Sequence, residues 1–284
     1  MIKLLHLVDN SLQSQTAAKC DLLIHIGTRK LQYAIIDKVR DELKALVEYE
    51  LPEISNLASL MFAIEKLPET QREFKYPFSK IRISVDTYKF TFIPEELYDS
   101  EKEQDYAKFI NPSVSDLILT NRIKSSKIRN IFAIDTNFNN ALNHIFNKPR
   151  IYNQASSFIE GIKKTNPDRN ADCLFIDFHK DHIQIASLKK SELVMYNMLE
   201  CINPDEFNYY LLNSIDSLEL DTNNTKVIVS GDVVSGDDEY YQRILKYFST
   251  PVFADSRLIV KHPEIFNQVS PHTYFSLISL DECE

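Results

Sequence analysis

The sequence predicts a duplicated α/β protein of two lobes, each ordered strand–strand–strand–helix–strand–helix around a mixed sheet. Three observations predict it. The stretch Leu22–Asp37, LLIHIGTRKLQYAIID, reads as two short strands joined by a tight turn, and it returns as Cys173–Leu188, CLFIDFHKDHIQIASL, at an offset of about 152 residues. In that alignment Ile24 meets Ile176, Leu31 meets Ile183, Gln32 meets Gln184 and Ala34 meets Ala186. Each copy then gives a third strand, Ala45–Glu50 or Glu192–Met198, that runs into a helical pattern. A repeat at half the chain length marks internal duplication rather than a short-period solenoid.

The elements follow in order. Residues 1–20 are polar and irregular and read as a poorly packed arm or an edge segment. Strands come at about 22–28, 31–38 and 44–50, and in the second of them Leu31, Tyr33 and Ile35 alternate with Gln32 and Ala34. Pro52-Glu53 opens a helix that carries Leu57, Leu60, Met61, Ile64 and Leu67 at helical spacing. IRISVD (81–86) and KFTFI (89–93) read as two strands around a turn. Pro94-Glu95-Glu96 then starts a helix, with proline in the first turn and acids at the positive end of the dipole. Strands at 117–120 and 128–135, a helix over 136–146, a strand from Ile151 and a helix over 154–165 complete this half. The turn-rich TNPDRNA, Thr165–Ala171, is the interlobe connector. The lobes are therefore residues 1–168 and 169–284, with a C-terminal helix free to pack back on the first.

In the second half, strands lie at about 172–178, 181–188 and 192–199. A helix over about 204–219 puts Phe207, Tyr210, Leu211, Ile215 and Leu218 on one stripe. TKVIVSG (225–231) is a buried-type strand, a helix covers about 237–248, and PVF (251–253) is a short strand. Ser270-Pro271 begins a short helix, and the aromatic tail HTYFSLISL packs on the lobe. Hairpins followed by crossover connections make each sheet mixed.

Composition narrows the class. A chain of 284 residues with 44% hydrophobic content builds one large core or two ordinary ones. Nonspecific nucleic-acid binding relies on a basic face, and a formal charge of −9 with no Lys/Arg run does not supply one. The nearest cluster, Arg122, Lys124, Lys127 and Arg129, reads as a solvated turn or a phosphate-contacting loop. No apolar run reaches the 18 residues that a transmembrane helix needs. The opening MIKLLHLVDNS is too soon polar for a secretory signal, so a cytoplasmic location is expected. Cys20, Cys173, Cys201 and Cys283 are far apart, which argues against a zinc site and a disulfide scaffold. Only four glycines occur, Gly27, Gly161, Gly231 and Gly236, where average usage of about 7% would give roughly 20. Phosphate-cradling loops need glycine for close backbone approach and positive φ, so the chain has little material for them.

At this point the sequence resembles a known superfamily. LLIHIGTRKLQYAII resembles the first phosphate motif of actin-like ATPases, LFIDFHKDHIQIASL the second, and VIVSGDVVSGDDEYYQRILKYF the adenosine motif. FIPEELYDSEKEQDYAKF (92–109), FNYYLLNSIDSLELD (207–221) and the adenosine-like stretch resemble, more narrowly, a Bacteroidetes domain of unknown function with an actin-like ATPase fold. The resemblance covers nearly the whole chain. It implies a duplicated actin-like (ribonuclease H-like) fold, with Hsp70 and the sugar kinases in the same superfamily. Fold does not fix function.

The resemblance also says what each motif should hold: an acid, glycines and a hydroxyl. His25-Ile26-Gly27-Thr28 keeps glycine and hydroxyl without the acid. Asp177-Phe178-His179-Lys180 keeps the acid without the glycines. Gly231-Asp232-Val233-Val234-Ser235-Gly236 has P-loop glycine spacing, but Asp237 and Asp238 stand where Lys and Ser or Thr belong, and like charge disfavours phosphate. The plainer reading is a helix capped by Ser235 or Gly236, with Asp237, Asp238 and Glu239 in its first turn. The candidate ligand-binding residues are Gly27, Thr28, Arg29, Asp177, His179, Lys180, Ser230 and Gly231. Arg29, Lys30 and Lys180 would suit an anion without magnesium. A metal at Asp177, His179 and His182 is set against solvated turn residues, and no catalytic triad or nucleophile motif is legible.

Three functions follow. The leading expectation is a degenerate actin-like protein that does not hydrolyse nucleotide and serves as a binding or scaffold module. The second is a nucleotide binder or slow ATPase that uses Gly27, Thr28, Asp177 and Gly231 in the interlobe cleft. The third is another small-molecule enzyme, such as a sugar or acetate kinase relative. No cofactor is expected under the first, and ATP with magnesium under the second. The expected partner is a protein that the sequence does not name, with homo-oligomerisation left open and no nucleic acid or membrane span.

Overall fold

A computed structural model describes residues 2–51, 57–166 and 168–284. The chain forms two compact units: Met1–Glu160 with Val260–Gln268 and Leu277–Glu284, and Gly161–Ile259 with Val269–Ser276.

The first unit opens with β1 (Ile2–Val8), a single turn α1 (Ser14–Ala17), β2 (Cys20–Ile26), β3 (Lys30–Asp37) and β4 (Glu42–Glu50). Helices α2 (Leu57–Glu65) and α3 (Leu67–Thr70) lead to β5 (Lys80–Val85). After β6 (Phe90–Pro94), α4 (Glu103–Ala107), β7 (Asp116–Ile123), β8 (Ile128–Asp135) and α5 (Thr136–Ile145), the chain returns as β9 (Arg150–Asn153) and α6 (Gln154–Thr165). The main sheet has the order β1-β4-β3-β2-β5-β9, and β6-β8-β7 form a second sheet. β2, β3 and β4 are an antiparallel meander, while β5 and β9 join in parallel. One face of the main sheet carries Leu22, Ile24, Ile26, Leu31, Tyr33 and Ile35 into a core with Ile64, Phe132, Phe138 and Leu142. Period-two alternation sends Asp21, His25, Gln32 and Glu48 to the other face, where they are also buried.

The second unit repeats this plan: β10 (Cys173–Phe178), β11 (His182–Lys189), β12 (Glu192–Glu200), α7 (Pro204–Ser217), β13 (Lys226–Gly231), α8 (Glu239–Leu245) and β14 (Val252–Phe253). Its order β12-β11-β10-β13-β14 matches β4-β3-β2-β5-β9 strand for strand. α7 starts where the Asn203 side chain accepts from the amides of Asp205 and Glu206, with Pro204 in the first turn. Phe207 and Leu211 on α7 and Ile244 on α8 cover Ile176, Ile185 and Val229. A short α9 (Phe275–Ser279) passes from the second unit back to the first and is followed by a 3-10 turn at Leu280–Glu282.

Several expectations are corrected. Of the two readings of residues 1–20, the edge segment holds and the irregular arm does not: β1 forms a seven-residue edge strand on β4. Residues 81–86 and 89–93 do not form a hairpin, because β5 lies in the main sheet while β6 pairs with β8. Only a 3-10 turn follows Pro94, with the short α4 after it. Ser270-Pro271 precedes a turn, and the helix begins at Phe275. α8 is capped by Asp238, whose side chain accepts from the Tyr241 amide, not by Ser235 or Gly236. The proposed helix start at Pro52-Glu53 lies outside the described residues. Three of the four cations of the basic cluster are paired with acids: Arg122 and Arg129 to Glu95, and Lys124 to Glu284.

All four cysteines are free and buried. Burial pushes the Cys20, Cys173 and Cys201 thiols up to about 11. No helix among the described residues is long and apolar enough to cross a membrane.

Candidate functional site

The repeat builds one polar site in each unit. In the second unit, Asp177 stands on β10 opposite Gln184 of β11 and Ser230 of β13. In the first, the same lattice positions are held by His25, Gln32 and Ser84. The aligned Gln32 and Gln184 thus mark a conserved placement within the duplication, and the acid of one copy is replaced by an imidazole in the other.

Asp177 is 1% exposed. Its Oδ1 accepts from Ser230 Oγ at 2.7 Å. Its Oδ2 accepts from His179 Nε2 at 3.0 Å, from Gln184 Nε2 at 3.1 Å and from the Ser276 hydroxyl. A carboxylate only accepts, so the contact fixes His179 Nε2 as an N–H donor. Burial pushes the Asp177 carboxyl up, but the neighbouring His179 and the hydrogen bonds from His179, Ser276 and Ser230 hold it below the ordinary carboxylate value. Tyr196 donates to Gln184 Oε1 at 2.7 Å and locks the amide.

The turn after β10 closes on itself, since the His179 amide donates to the His182 carbonyl. The two imidazoles stack at 4.3 Å, and His182 Nδ1 faces Asp181 at 2.8 Å. Lys180 is exposed at this turn. Among the described residues no group of His, Cys, Asp or Glu is arranged to hold a metal ion. Gly231 adopts φ +79°, and a Cβ there would lie 2.1 Å from the Phe178 carbonyl and 2.9 Å from Asp177 Oδ1. The Gly231 amide donates to the His272 carbonyl, and His272 Nε2 meets the Val233 carbonyl at 2.9 Å. Burial lowers the His272 pKa.

In the first unit, Gly27, Thr28 and Arg29 form the turn between β2 and β3, closed by the Gly27 amide on the Lys30 carbonyl. His25 Nε2 lies 3.6 Å from Asp86 Oδ1, both side chains being buried. A Cβ at Gly27 would come within 2.8 Å of Asp86 Oδ2 and 3.3 Å of His25 Nε2. The first turn therefore has an acid beside it after all, delivered from the residue that follows β5. Gly27, Thr28 and Asp86 line a cavity of about 280 Å³ together with Lys89, Asp116 and Asp135, over an apolar floor that includes Leu60, Val85 and Phe138. Asp116 pairs with Lys89 at 2.5 Å, and Asp135 caps α5 by accepting from Asn137 and Phe138.

The structure thus joins Asp177, His179 and Ser230 in one network with Gly231 packed against it, and groups Gly27 and Thr28 around Asp86. The expectation missed Asp86, Gln184, Ser276 and His272. Asp86 and Gln184 had a signal: one ends IRISVD, the other is aligned in the repeat.

The model of the family described as "Protein of unknown function (DUF3822)" matches residues 9–250. The chain belongs to this family. A Bacteroides thetaiotaomicron protein with actin-like ATPase fold and unknown function is similar over 97% of this chain and 100% of its own, at 20% identity and TM-score 0.79. The PilM-PilN type IV pilus biogenesis complex contains a chain similar over 92% of this one and 97% of its own, at 11% identity and TM-score 0.59. An inorganic polyphosphate/ATP-glucomannokinase from Arthrobacter is similar over 92% of this chain and 96% of its own, at 13% identity and TM-score 0.50. No curated protein matches. These likenesses establish the fold of this DUF3822 member as that of the actin-like ATPases.

Proposed function

We propose that this protein is an actin-like fold that does not hydrolyse nucleotide and acts as a binding or scaffold module. The observation that carries this reading is the state of Asp177. An acid that served a magnesium-bound water would keep an oxygen open to it, whereas here a wholly buried carboxylate accepts from His179, Gln184, Ser230 and Ser276. The neighbouring amides are also engaged, Gly231 with His272 and His179 with His182. A fold neighbour taken from the PilM-PilN complex supports the idea that this plan can serve assembly.

The test is a thermal-shift titration with ATP, ADP and GTP, with and without magnesium. A ligand at 100 times its Kd adds about 2.7 kcal/mol of stability, so binding would be plain. The expected result is no shift at millimolar nucleotide. A saturable, magnesium-dependent rise overturns the proposal. One observation favours a second reading, nucleotide binding in the first unit: the cavity beside Gly27 and Thr28, with Asp86 and Lys89 on its wall. On that reading the rise survives Ser276→Ala and is lost in Thr28→Val.

A further inference from the structure

The two sheets share one strand order and differ at one edge. In the first unit β4 is covered, because β1 pairs with it antiparallel from Ile2↔Glu50 to Val8↔Ala45. Seven of the nine β4 residues are buried. In the second unit β12 holds the equivalent place, antiparallel to β11, and it is the terminal strand of its sheet. Only two of its nine residues, Tyr196 and Met198, are buried.

The β12 edge has the features of a template for an added strand. It is nine residues long, where strands most often have about 5–6. It contains no proline and no lysine, two of the usual guards of an edge, and its bulge at Val194 has a counterpart at Lys44 of β4, which still pairs with β1. Val194 is 46% exposed, and Leu193, Met195 and Leu199 are half-buried along the strand. Glu192 and Glu200 sit exposed at its two ends, and neither makes an ion pair among the described residues. That charge selects the occupant. A second copy of β12, laid antiparallel in full register, would set Glu192 against Glu200 at both ends, and like charges directly opposite destabilise a sheet.

We propose that the β12 edge docks a partner protein through one extended antiparallel segment, mostly apolar along its length and carrying Lys or Arg at its ends. This names the partner's chemistry for the scaffold reading and rests on that reading. The chain contains its own template: β1, IKLLHLV, covers the equivalent edge with five apolar residues of seven and with Lys3 near its start. Main-chain pairing supplies the affinity, and the terminal cations facing Glu200 and Glu192 set the direction and register.

The test uses the full chain and a fluorescein-labelled peptide, Lys-Ile-Lys-Leu-Leu-His-Leu-Val-Lys, which is the β1 sequence between lysines. Hydrogen exchange over residues 192–200 should slow about tenfold with saturating peptide, while β1 and β4 are unchanged. The exposed double variant Glu192→Lys, Glu200→Lys should bind this peptide about tenfold more weakly and gain affinity for a peptide with glutamate in place of the terminal lysines. Unchanged exchange over 192–200 at millimolar peptide overturns the proposal. So does protection there that rises with protein concentration alone, together with a dimer in sedimentation, because the occupant is then a second copy. Nucleotide titration of the same samples reads the scaffold proposal separately, so failure of one is not failure of the other.

Discussion

Replacing Asp177 by alanine is the sharpest perturbation the structure offers. Four side chains donate to this buried carboxylate. Each donor left unsatisfied costs about 1–3 kcal/mol, and relaxation recovers part of the sum. Breaking a buried charged network by removing one partner costs about 3–5 kcal/mol, and the same figure is expected for Asp177→Ala. That is a large share of the roughly 5–15 kcal/mol that holds a domain together. Asp177→Asn keeps one acceptor and the shape, so about half the loss is expected. Ser276→Ala removes one donor and should cost about 1 kcal/mol. The assay is urea unfolding read by hydrogen exchange in β10 and β11, which reports the second unit alone. A loss below about 1 kcal/mol for Asp177→Ala would show that the four donors find other partners, and the closed-site argument would fail. The pH dependence has a definite sign. The Asp177 carboxyl is held below its ordinary 3.8 in the folded state. Its stabilisation is therefore complete above 3.8 and is lost as pH falls through the lower folded value. Wild type should destabilise more steeply than Asp177→Asn in that acid window.

Three glycine variants should rank by surroundings: Gly231→Ala worst, with a carbonyl 2.1 Å from the new Cβ and positive φ, then Gly27→Ala, then Gly236→Ala, which has positive φ but nothing within 4 Å. Thermal melts of the three check the order, and the last should lose only about 1–2 kcal/mol. Asp238→Ala removes the α8 cap and should cost about 1 kcal/mol in the same melts, while Ser235→Ala should be neutral. Burial lowers the His272 pKa below 6.5, so the unfolded chain takes up the proton first and stability falls as pH drops below 6.5. His272→Gln should flatten that slope between about pH 6.5 and 5.

The repeated hairpins were legible because their alternation is local: Leu31, Tyr33 and Ile35 face one core, as Ile183 and Ile185 face the other. α7 was legible for the same reason, with Asn203-Pro204 marking its start. Pairing across distance was not. β5 and β6 look like a hairpin from spacing alone, yet the acceptor strands for them are β2 and β8, and only tertiary packing decides that. The candidate site divides similarly. Asp177, His179 and Ser230 were found from motif shape, whereas Ser276 reaches Asp177 across 99 residues with no motif to announce it. The first motif looked acid-free because its carboxylate, Asp86, follows a different strand.

The division of the chain also carries a consequence for synthesis. Leu277–Glu284 belong to the first unit. Within that unit Asp281 binds Lys38 at 2.6 Å and lies 3.7 Å from the buried Arg82. These residues leave the ribosome only after the whole of the second unit. The half that emerges first is therefore the half that finishes last, waiting with Arg82 held by Asp21 alone. Nascent chains stalled short of residue 277 should thus display a protease-resistant second unit beside a first unit still open to cleavage, an inversion of the usual N-to-C order of maturation.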